Sequence, residues 1–364
     1  LNYKDYVAPN PPETYEKLTR MMRHAGQAYL LAGNRVTPFT EFPAMLHDML
    51  CAIHSARHHI HVQFYIFMDD AVGRLLRDAL IDKARQGVKI RLLYDDVGSW
   101  KVKNRFFRDM VKEGIEVYPF GEVKFAALTR RVNYRNHRKL VIVDGQLGYI
   151  GGMNIAERYY KGFSWGGWRD THIRIEGMAV NALQTSFFVD WHYASRMLVD
   201  EPVYFPKVER KGDTDMQIVT SYPMGEWKTI MQGLLQVISQ SRRYLYIQTP
   251  YFMPTEPILM ALRNAALAGV DVRIMVPLRG DSLLADLASH SYYKEVMTAG
   301  VKIYQYESGY LHAKMILSDD NFVTIGSTNM DFRSFEQNFE INAFIYDPDV
   351  VDTMKQIFLA DQQS

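Results

Sequence analysis

The strongest constraint in this sequence is an internal duplication, because the second half of the chain repeats the pattern of the first. Apolar residues fall at helical spacing in Phe42–His54, and the equivalent positions of Ile230–Ile238, 185 residues later, are again apolar. The strand-like segment His59–Met68 aligns with Tyr244–Met253 at the same offset. Two copies of one unit predict two similar lobes related by a pseudo-twofold axis.

Two further alignments indicate the fold class. Lys83–Leu93 matches Ala265–Met275, and Glu113–Tyr118 matches Ala299–Tyr304. Each copy therefore alternates helices, glycine turns and strands, which is typical of an α/β fold with crossover connections. We predict lobes at residues 1–205 and 206–364, joined near Val203–Asp215, where proline, glycine and charged residues suggest a linker.

The first copy carries an insertion next to a group of basic residues. Gly114 lies 23 residues before His137, but Gly300 lies only 12 before His312, which places the extra residues within Phe120–Asn136. The basic residues there are Lys124, Arg130, Arg131, Arg135, Arg138 and Lys139, opposed by Glu122 alone. They indicate either a solvated loop or a contact with an anionic substrate, and the apolar Phe125 and Leu128 would suit a lipid headgroup region.

Each half also contains the same spaced set of polar residues, with the asparagine 17 positions after the histidine. The sets are His137, Lys139, Asp144 and Asn154, and His312, Lys314, Asp319 and Asn329. A single histidine of this kind is ordinary, but two sets with identical spacing inside a duplication indicate a shared catalytic site. Strand periodicity places His137 and Lys139 on one face, and a turn after Asp144 brings Asn154 back toward them.

The paired motifs resemble those of the phospholipase D superfamily over nearly the whole chain. Four segments are similar to bacterial cardiolipin synthases: Asn136–Gly145 (NHRKLVIVDG), Gly151–Asn154 (GGMN), Trp168–Gly177 (WRDTHIRIEG) and Ser334–Asp347 (SFEQNFEINAFIYD). The resemblance implies an α/β fold of two duplicated phospholipase D-like lobes, each a mixed β-sheet flanked by helices. It also implies a single active site at the interface of the lobes, without a metal ion or cofactor.

The residue types suit attack on a phosphodiester, whose negative charge must be neutralised before a nucleophile can approach. Candidate ligands of the phosphate oxygens are Lys139, Lys314, Asn154 and Asn329, with Ser327 as a further contact. One histidine would form a phosphohistidine while the other acts as acid and base. By analogy with two-domain relatives, we expect His137 to be the nucleophile and His312 the acid and base, although the nearly symmetric sequence does not decide this.

Four carboxylates accompany these residues. Asp170 and Glu340 match residues that orient the histidines in the family, although ordinary surface carboxylates are the alternative. Asp144 and Asp319 belong to the catalytic signature, but each follows a strand at a turn. We therefore expect them to bond loop amides rather than substrate.

The function that the resemblance implies is cardiolipin synthase, which joins two phosphatidylglycerol molecules at the bacterial cell membrane and releases glycerol. The same residues would serve a phospholipase D hydrolase, a transferase with another alcohol acceptor, or a nuclease. A net charge of only +1 argues against nucleic acid as a partner. A membrane-binding scaffold without catalytic activity is the alternative from another class.

The remaining features predict little chemistry. In the run His58–His61, alternation puts His59 and His61 on a polar strand face, and no metal site is expected. Trp165–Trp168 (WGGW) is either an aromatic flap or a packed turn. The single cysteine, Cys51, excludes an internal disulfide and is predicted to be buried. Without a run of 18 apolar residues the chain does not span a bilayer as given, and its start at Leu1 suggests a trimmed form that lacks anchoring segments.

Overall fold

The computed structural model describes residues 7–8, 12–122 and 133–364 of the chain. Of the basic insertion, Lys124, Phe125, Leu128, Arg130 and Arg131 lie outside the described residues. Of the basic residues named with this insertion, Arg135, Arg138 and Lys139 are described, and all three are buried rather than solvated.

Helices and strands alternate in both halves. The first half contains α1 (Glu16–Gly26), β1 (Leu31–Phe39), α2 (Phe42–Ser55), β2 (His59–Phe64), α3 (Ala71–Arg85), β3 (Lys89–Asp95), α4 (Asn104–Lys112), β4 (Glu116–Phe120), β5 (Arg135–Asn136), β6 (Leu140–Val143), β7 (Leu147–Gly151), α5 (Glu157–Lys161), β8 (Gly167–Arg169), β9 (His172–Glu176) and α6 (Ala179–Ser195). The second half contains β10 (Thr214–Ser221), α7 (Thr229–Gln240), β11 (Tyr244–Gln248), β12 (Phe252–Met253), α8 (Glu256–Leu267), β13 (Asp271–Pro277), α9 (Leu283–Thr298), β14 (Lys302–Tyr306), β15 (Gly309–Leu311), β16 (Met315–Ser318), β17 (Phe322–Gly326), β18 (Met330–Asp331), α10 (Phe332–Glu336), β19 (Asn338–Ile345) and α11 (Pro348–Asp361).

The two halves form one continuous mixed sheet. Its strand order is β4-β3-β2-β6-β7-β9-β1 in the first half, continued by β10-β19-β17-β16-β11-β13-β14 in the second. The halves meet where β1 and β10 pair antiparallel. Counted outward from this seam, each strand of the first half has a counterpart at the same position in the second half. The outer three strands of each half are parallel to one another. The predicted duplicated α/β fold with pseudo-twofold symmetry is confirmed by this order.

The sheet is buried on both faces, and one of its cores is shared by the two halves. Strand β6 shows the division: Leu140 and Ile142 face a cluster beneath α6 and α11, whereas Val141 and Val143 face a cluster beneath α2, α3 and α4. The cluster beneath α6 and α11 also receives the strands of the second half. Because each large apolar side chain contributes about 1.5–3 kcal/mol when buried, this shared core holds the halves in one arrangement.

Helix α1 lies in the first half of the sequence but packs against the second. Leu18 and Met22 contribute to the cluster beneath α7, α8 and α9. On β10, the Gln217 side-chain amide donates to the carbonyl oxygens of Thr19 and Ala28 at 3.0 and 2.6 Å. The division of lobes at residues 205 and 206 stays a prediction, and the N-terminal helix connects the two halves.

One prediction about an individual residue is wrong. Cys51 is exposed, not buried, because α2 turns Phe42, Met45, Met49 and Ile53 toward the core and Cys51 lies on the other side of the helix. Of the helices described, none is both long enough and apolar enough to span a bilayer.

Candidate active site

Short strand pairs between the halves bring the two histidine motifs together. Strand β5, which precedes His137, pairs in parallel with the start of β19, and β15, which precedes His312, pairs in parallel with β8. The backbone N–H of His137 donates to the carbonyl oxygen of Phe339 at 3.0 Å. The backbone N–H of His312 donates to the carbonyl oxygen of Arg169 at 2.7 Å. Each histidine is therefore held by a strand of the other half.

This pairing sets each histidine beside a buried carboxylate from the opposite half. His137 Nδ1 lies 3.0 and 3.1 Å from the carboxylate oxygens of Glu340. His312 Nδ1 lies 2.6 Å from Asp170 Oδ2. Because an ionised carboxylate only accepts hydrogen bonds, Nδ1 carries the proton and Nε2 keeps its lone pair. The structure thus places the two predicted orienting carboxylates next to the histidines, crossed between the halves.

The electrostatics of the site keep both imidazoles neutral. Burial, together with the charge of Lys314, lowers the pKa of His312 to about 3 despite the nearby Asp170. Burial also lowers the pKa of His137, and Glu340 opposes this shift. For Asp170 and Glu340, burial acts to raise the pKa, but the neighbouring histidines and lysines outweigh it and the net direction is down. The carboxylates are therefore ionised and the histidines are ready to use Nε2.

The two motif lysines lie beneath the histidines. The Lys139 ammonium donates to the carbonyl oxygen of His137, and that of Lys314 donates to the carbonyl oxygen of His312. Burial lowers the pKa of Lys314 to about 8 and that of Lys139 well below its usual value. Each lysine also lowers the pKa of the histidine in the other half, so both positive charges act on the same small volume. An anion bound there would favour the charged form of both lysines.

The histidines open into a cavity of about 740 Å³ formed by both halves. Both motif asparagines, Asn154 and Asn329, line it. Asn154 is fixed because its Oδ1 accepts from the N–H of Ile66 at 3.1 Å and its amide donates to the Tyr159 hydroxyl at 2.5 Å. Aromatic rings form much of the wall, including Tyr65, Tyr159, Trp168 and Tyr251. The WGGW segment is accordingly a packed turn, with Trp168 buried 5.2 Å from the His312 ring.

Ser327 lies behind the cavity wall, next to Glu340. Its side chain is fully buried and does not line the cavity. The hydroxyl donates to Glu340 and accepts from the N–H of Ile341 at 3.0 Å. Ser327 therefore positions Glu340 behind His137, and its role as a phosphate contact stays a prediction.

The motif aspartates lie at the far ends of their strands, away from the histidines. The Asp144 carboxylate accepts three backbone N–H bonds, from Arg57, His58 and His59, at 2.8–2.9 Å. Asp319 accepts the equivalent three, from Arg242, Arg243 and Tyr244, at 2.7–3.0 Å. Both adopt φ of +53°, a conformation that few residues other than glycine, asparagine and aspartate tolerate. Their contacts are those of turn anchors.

An Asp144→Asn variant is expected to lose about 1–3 kcal/mol of unfolding free energy, because a neutral amide is a weaker acceptor for three N–H groups. Asparagine tolerates the positive φ, so the backbone conformation itself is retained. Chemical denaturation measures the loss, and turnover per folded molecule should stay close to that of the unaltered protein. A large loss of turnover with unchanged stability would instead give Asp144 a part in the chemistry.

A buried ion pair that the sequence did not reveal supports the site from behind. Arg138 donates to Asp190 of α6 at 2.9 Å and to the carbonyl oxygen of Glu340 at 3.1 Å. Asp190 also accepts from the side-chain amides of Asn136 and Gln63 at 2.9 and 2.6 Å. The equivalent of Arg138 in the second motif is Ala313, so the halves differ here. The only sequence signal was the unusual arginine between His137 and Lys139.

A second anchor that sequence reasoning missed is Asp95, at the end of β3. It accepts the backbone N–H of Asn136 at 2.9 Å and lies 3.4 Å from Arg135 Nη1. Burial raises the pKa of its carboxyl to about 6, against the pull of Arg135. Asp95 thus fixes β5, the strand that delivers His137.

The histidine run on β2 is buried under α6 and does not form the polar strand face that alternation predicted. Gln184 bridges the two rings, at 2.8 Å from His61 Nδ1 and 2.9 Å from His59 Nε2. Burial lowers the pKa of His59 to about 4. Within residues 7–8, 12–122 and 133–364, no group of three or more His, Cys, Asp or Glu side chains is placed to hold a metal ion.

Comparison with known proteins gives consistent matches to both halves. A family model described as cardiolipin synthase, PLD-like domain, matches residues 49–165 and 234–362. The major cardiolipin synthase of Bacillus subtilis (strain 168) is 43% identical over 347 residues, which cover 94% of this chain and 72% of that protein. A cardiolipin synthase of Geobacillus kaustophilus (strain HTA426) is 40% identical over 347 residues, which cover 94% of this chain and 69% of that protein.

Among solved structures, phosphatidylserine synthase of Haemophilus influenzae Rd KW20 has a TM-score of 0.70 at 15% identity. The match covers 94% of this chain and 90% of that one. At that identity the structural match supports the fold alone.

Proposed function

We infer that this chain, which belongs to the cardiolipin synthase family of phospholipase D-like proteins, transfers a phosphatidyl group from one phosphatidylglycerol to another. The products are cardiolipin and glycerol. The observation that carries this inference is the pair of neutral, carboxylate-oriented histidines opening into one cavity above two buried lysines.

The first half-reaction consumes the donor lipid. Nε2 of one imidazole attacks phosphorus and forms a P–N bond, and the bond between phosphorus and the glycerol oxygen breaks. The other imidazole, in its protonated form, gives its proton to the departing glycerol oxygen. Lys139, Lys314, Asn154 and Asn329 are proposed to hold the nonbridging oxygens, whose negative charge grows as the displacement proceeds.

The second half-reaction uses the acceptor lipid. The imidazole that lost its proton removes one from a hydroxyl of the second phosphatidylglycerol, and that oxygen attacks phosphorus. The P–N bond breaks, and the nucleophilic imidazole is restored. One ester of a primary alcohol is exchanged for another, so concentration and product removal set the direction.

The acid step needs a protonated imidazole, whereas both histidines are neutral in the free site. A bound phosphodiester anion offsets the lysine charges and raises the pKa of the imidazole beside it. Protonation of the acid is therefore coupled to substrate binding.

By family analogy we assign His137 as the nucleophile and His312 as the acid and base. One observation favours the reverse assignment: the pKa of His312 is lowered to about 3, which makes it the harder imidazole to protonate. Trapping of the covalent intermediate distinguishes the two assignments, as described in the Discussion.

We propose that the site works at the surface of the bacterial cell membrane. Four large apolar side chains, here called the apolar rim, are highly exposed near the cavity mouth: Trp100 (73%), Leu283 (74%), Leu284 (80%) and Leu287 (58%). Trp100 lines the cavity, and the leucines flank Ala285, which also lines it. Trp100 follows β3 and the leucines follow its counterpart β13, so both halves present apolar groups at the same end of the sheet. A diacyl lipid could then keep its chains in the bilayer while its phosphate enters the cavity.

A Leu283→Gln/Leu284→Gln variant is expected to bind vesicles containing phosphatidylglycerol at least about tenfold more weakly, because each leucine contributes roughly 1.5–3 kcal/mol on leaving water. Vesicle co-sedimentation measures this loss. The matched control is Leu267→Gln, since Leu267 is similarly exposed (71%) but lies before β13, at the opposite end of the strands. Equal binding by both variants would place the membrane contact elsewhere.

Product analysis tests the proposed reaction itself. Protein supplied with labelled phosphatidylglycerol as the sole lipid should form cardiolipin and an equal amount of free glycerol. Phosphatidic acid without cardiolipin would instead identify a hydrolase of the phospholipase D type, with water as the acceptor. Absence of both products would reject phosphatidyl transfer.

A further inference from the structure

Two arginines repeat the symmetry of the catalytic residues. Arg158 and Arg333 lie 175 positions apart, the same separation as His137 and His312 and as Asn154 and Asn329. Each is the second residue of a short helix that follows the motif asparagine, α5 in the first half and α10 in the second. Both side chains are exposed and line the cavity, from opposite halves.

The carboxylates that line the cavity have partners other than these arginines. Asp70 accepts the N–H groups of Gly73 and Glu157, Glu157 pairs with Lys161 at 2.7 Å, Asp281 accepts from the Tyr251 hydroxyl at 2.7 Å, and Asp331 accepts the N–H of Ser334 at 2.7 Å. Among the described residues, Arg158 and Arg333 form no ion pair. Both guanidinium groups therefore line the cavity without a salt bridge to a described carboxylate, and both are free to bind an anion.

The charges of both arginines act close to His137, and both residues are separate from the buried lysines. The Arg158 guanidinium packs over the rings of Tyr159 and Trp168, at 5.8 and 5.6 Å from their centroids. Both arginines act to lower the pKa of Tyr65 against the effect of burial, so both charges are felt at one hydroxyl. The Tyr65 ring centroid lies 5.1 Å from that of His137.

The proposed reaction requires two phosphate sites. When the acceptor phosphatidylglycerol enters, the donor phosphate is already attached to a histidine, and the acceptor brings a second phosphodiester anion. Repulsion between two anions held a few ångströms apart in a partly buried cavity must be offset by positive charge. The buried lysines serve the first phosphate and leave the second without a ligand.

We propose that Arg158 and Arg333 form a second phosphate subsite, which binds the phosphodiester of the acceptor lipid and so selects an anionic acceptor over water or a neutral alcohol. The geometry suits this role because guanidinium groups donate paired hydrogen bonds to phosphate oxygens. The subsite rests on the proposed function, since it is needed only if both substrates are anionic lipids.

The test compares two acceptors for the same phosphohistidine. Vesicles of phosphatidylglycerol are incubated with labelled free glycerol, so that cardiolipin formation reports the anionic acceptor and label entering phosphatidylglycerol reports a neutral one. In Arg158→Gln/Arg333→Gln, cardiolipin formation should fall about 10- to 100-fold relative to glycerol exchange, since charge-assisted hydrogen bonds to two arginines are lost. Arg158→Lys/Arg333→Lys should recover part of the ratio because charge is kept and the paired geometry is lost.

The control is Arg242→Gln, which removes an exposed arginine that forms no ion pair among the described residues and lies at the far end of the strands, by Asp319. It should leave both rates unchanged. Equal falls of cardiolipin formation and glycerol exchange in the double glutamine variant would overturn the subsite, because the arginines would then serve the donor phosphate or the shape of the cavity. An unchanged ratio would overturn it as well. Unaltered protein that forms neither product would reject the proposed function, and the subsite with it.

Discussion

Phosphatidyl transfer is expected to fall by about 10⁴-fold or more in a His137→Ala variant, because the group that forms the covalent intermediate is removed. His312→Ala should lose a comparable share of turnover for a different reason. Without an acid and base the first displacement is slowed, and the second cannot deprotonate its acceptor. Cardiolipin formation from labelled phosphatidylglycerol measures both losses.

His137→Ala and His312→Ala should differ in how much covalent intermediate accumulates. Protein quenched during turnover should carry acid-labile lipid label on His137, and more of it in His312→Ala than in the unaltered chain. Label on His312 in His137→Ala would reverse the assignment of roles. A His137→Ala/His312→Ala variant should be little worse than either single variant, since the residues act as one unit.

A matched control for these variants is His24→Ala, which removes an exposed imidazole of α1 and should leave turnover unchanged. If His137→Ala and His312→Ala each kept half of the activity, the chain would have two independent sites. That result would contradict the shared cavity.

The second large effect is expected from the carboxylates. Glu340→Gln and Asp170→Asn should each lower turnover roughly 10²- to 10⁴-fold, because a neutral amide no longer favours a proton on Nδ1 and a free lone pair on Nε2. Both substitutions keep the shape of the side chain in a fully buried position. Turnover per folded molecule is measured alongside thermal unfolding.

Because each histidine is oriented by a carboxylate of the other half, each carboxylate variant should resemble the variant of one particular histidine. Glu340→Gln should behave like His137→Ala, and Asp170→Asn should accumulate the covalent intermediate as His312→Ala does, because of the contacts Glu340–His137 and Asp170–His312. Ser327→Ala, which removes one hydrogen bond to Glu340, should cause a smaller loss of the same kind as Glu340→Gln. The opposite pattern, with Asp170→Asn resembling His137→Ala, would contradict the crossed pairing.

Much of the fold was predictable because duplication is written in the order of apolar and polar residues. Strand β2 was found within the strand-like segment that recurs 185 residues later, and the equal spacing in the two motifs pointed to His137 and His312. The burial of Cys51 was mispredicted because local hydrophobicity does not say which side of a helix faces the core. The buried histidines of β2 were misplaced on a polar face because the sequence did not show that α6 covers them with Gln184.

The sequence by itself determined the duplicated α/β fold, because duplication is visible in local periodicity, and it predicted the groups that attack and hold a phosphodiester from residue chemistry and the family resemblance. Only the tertiary structure decided which groups meet. The crossed pairs His137–Glu340 and His312–Asp170, the support of Glu340 by Arg138 and Ser327, and the facing of Arg158 and Arg333 all join residues distant in sequence. Such contacts depend on how strands of one half add to those of the other, and no local pattern in a single sequence specifies that register.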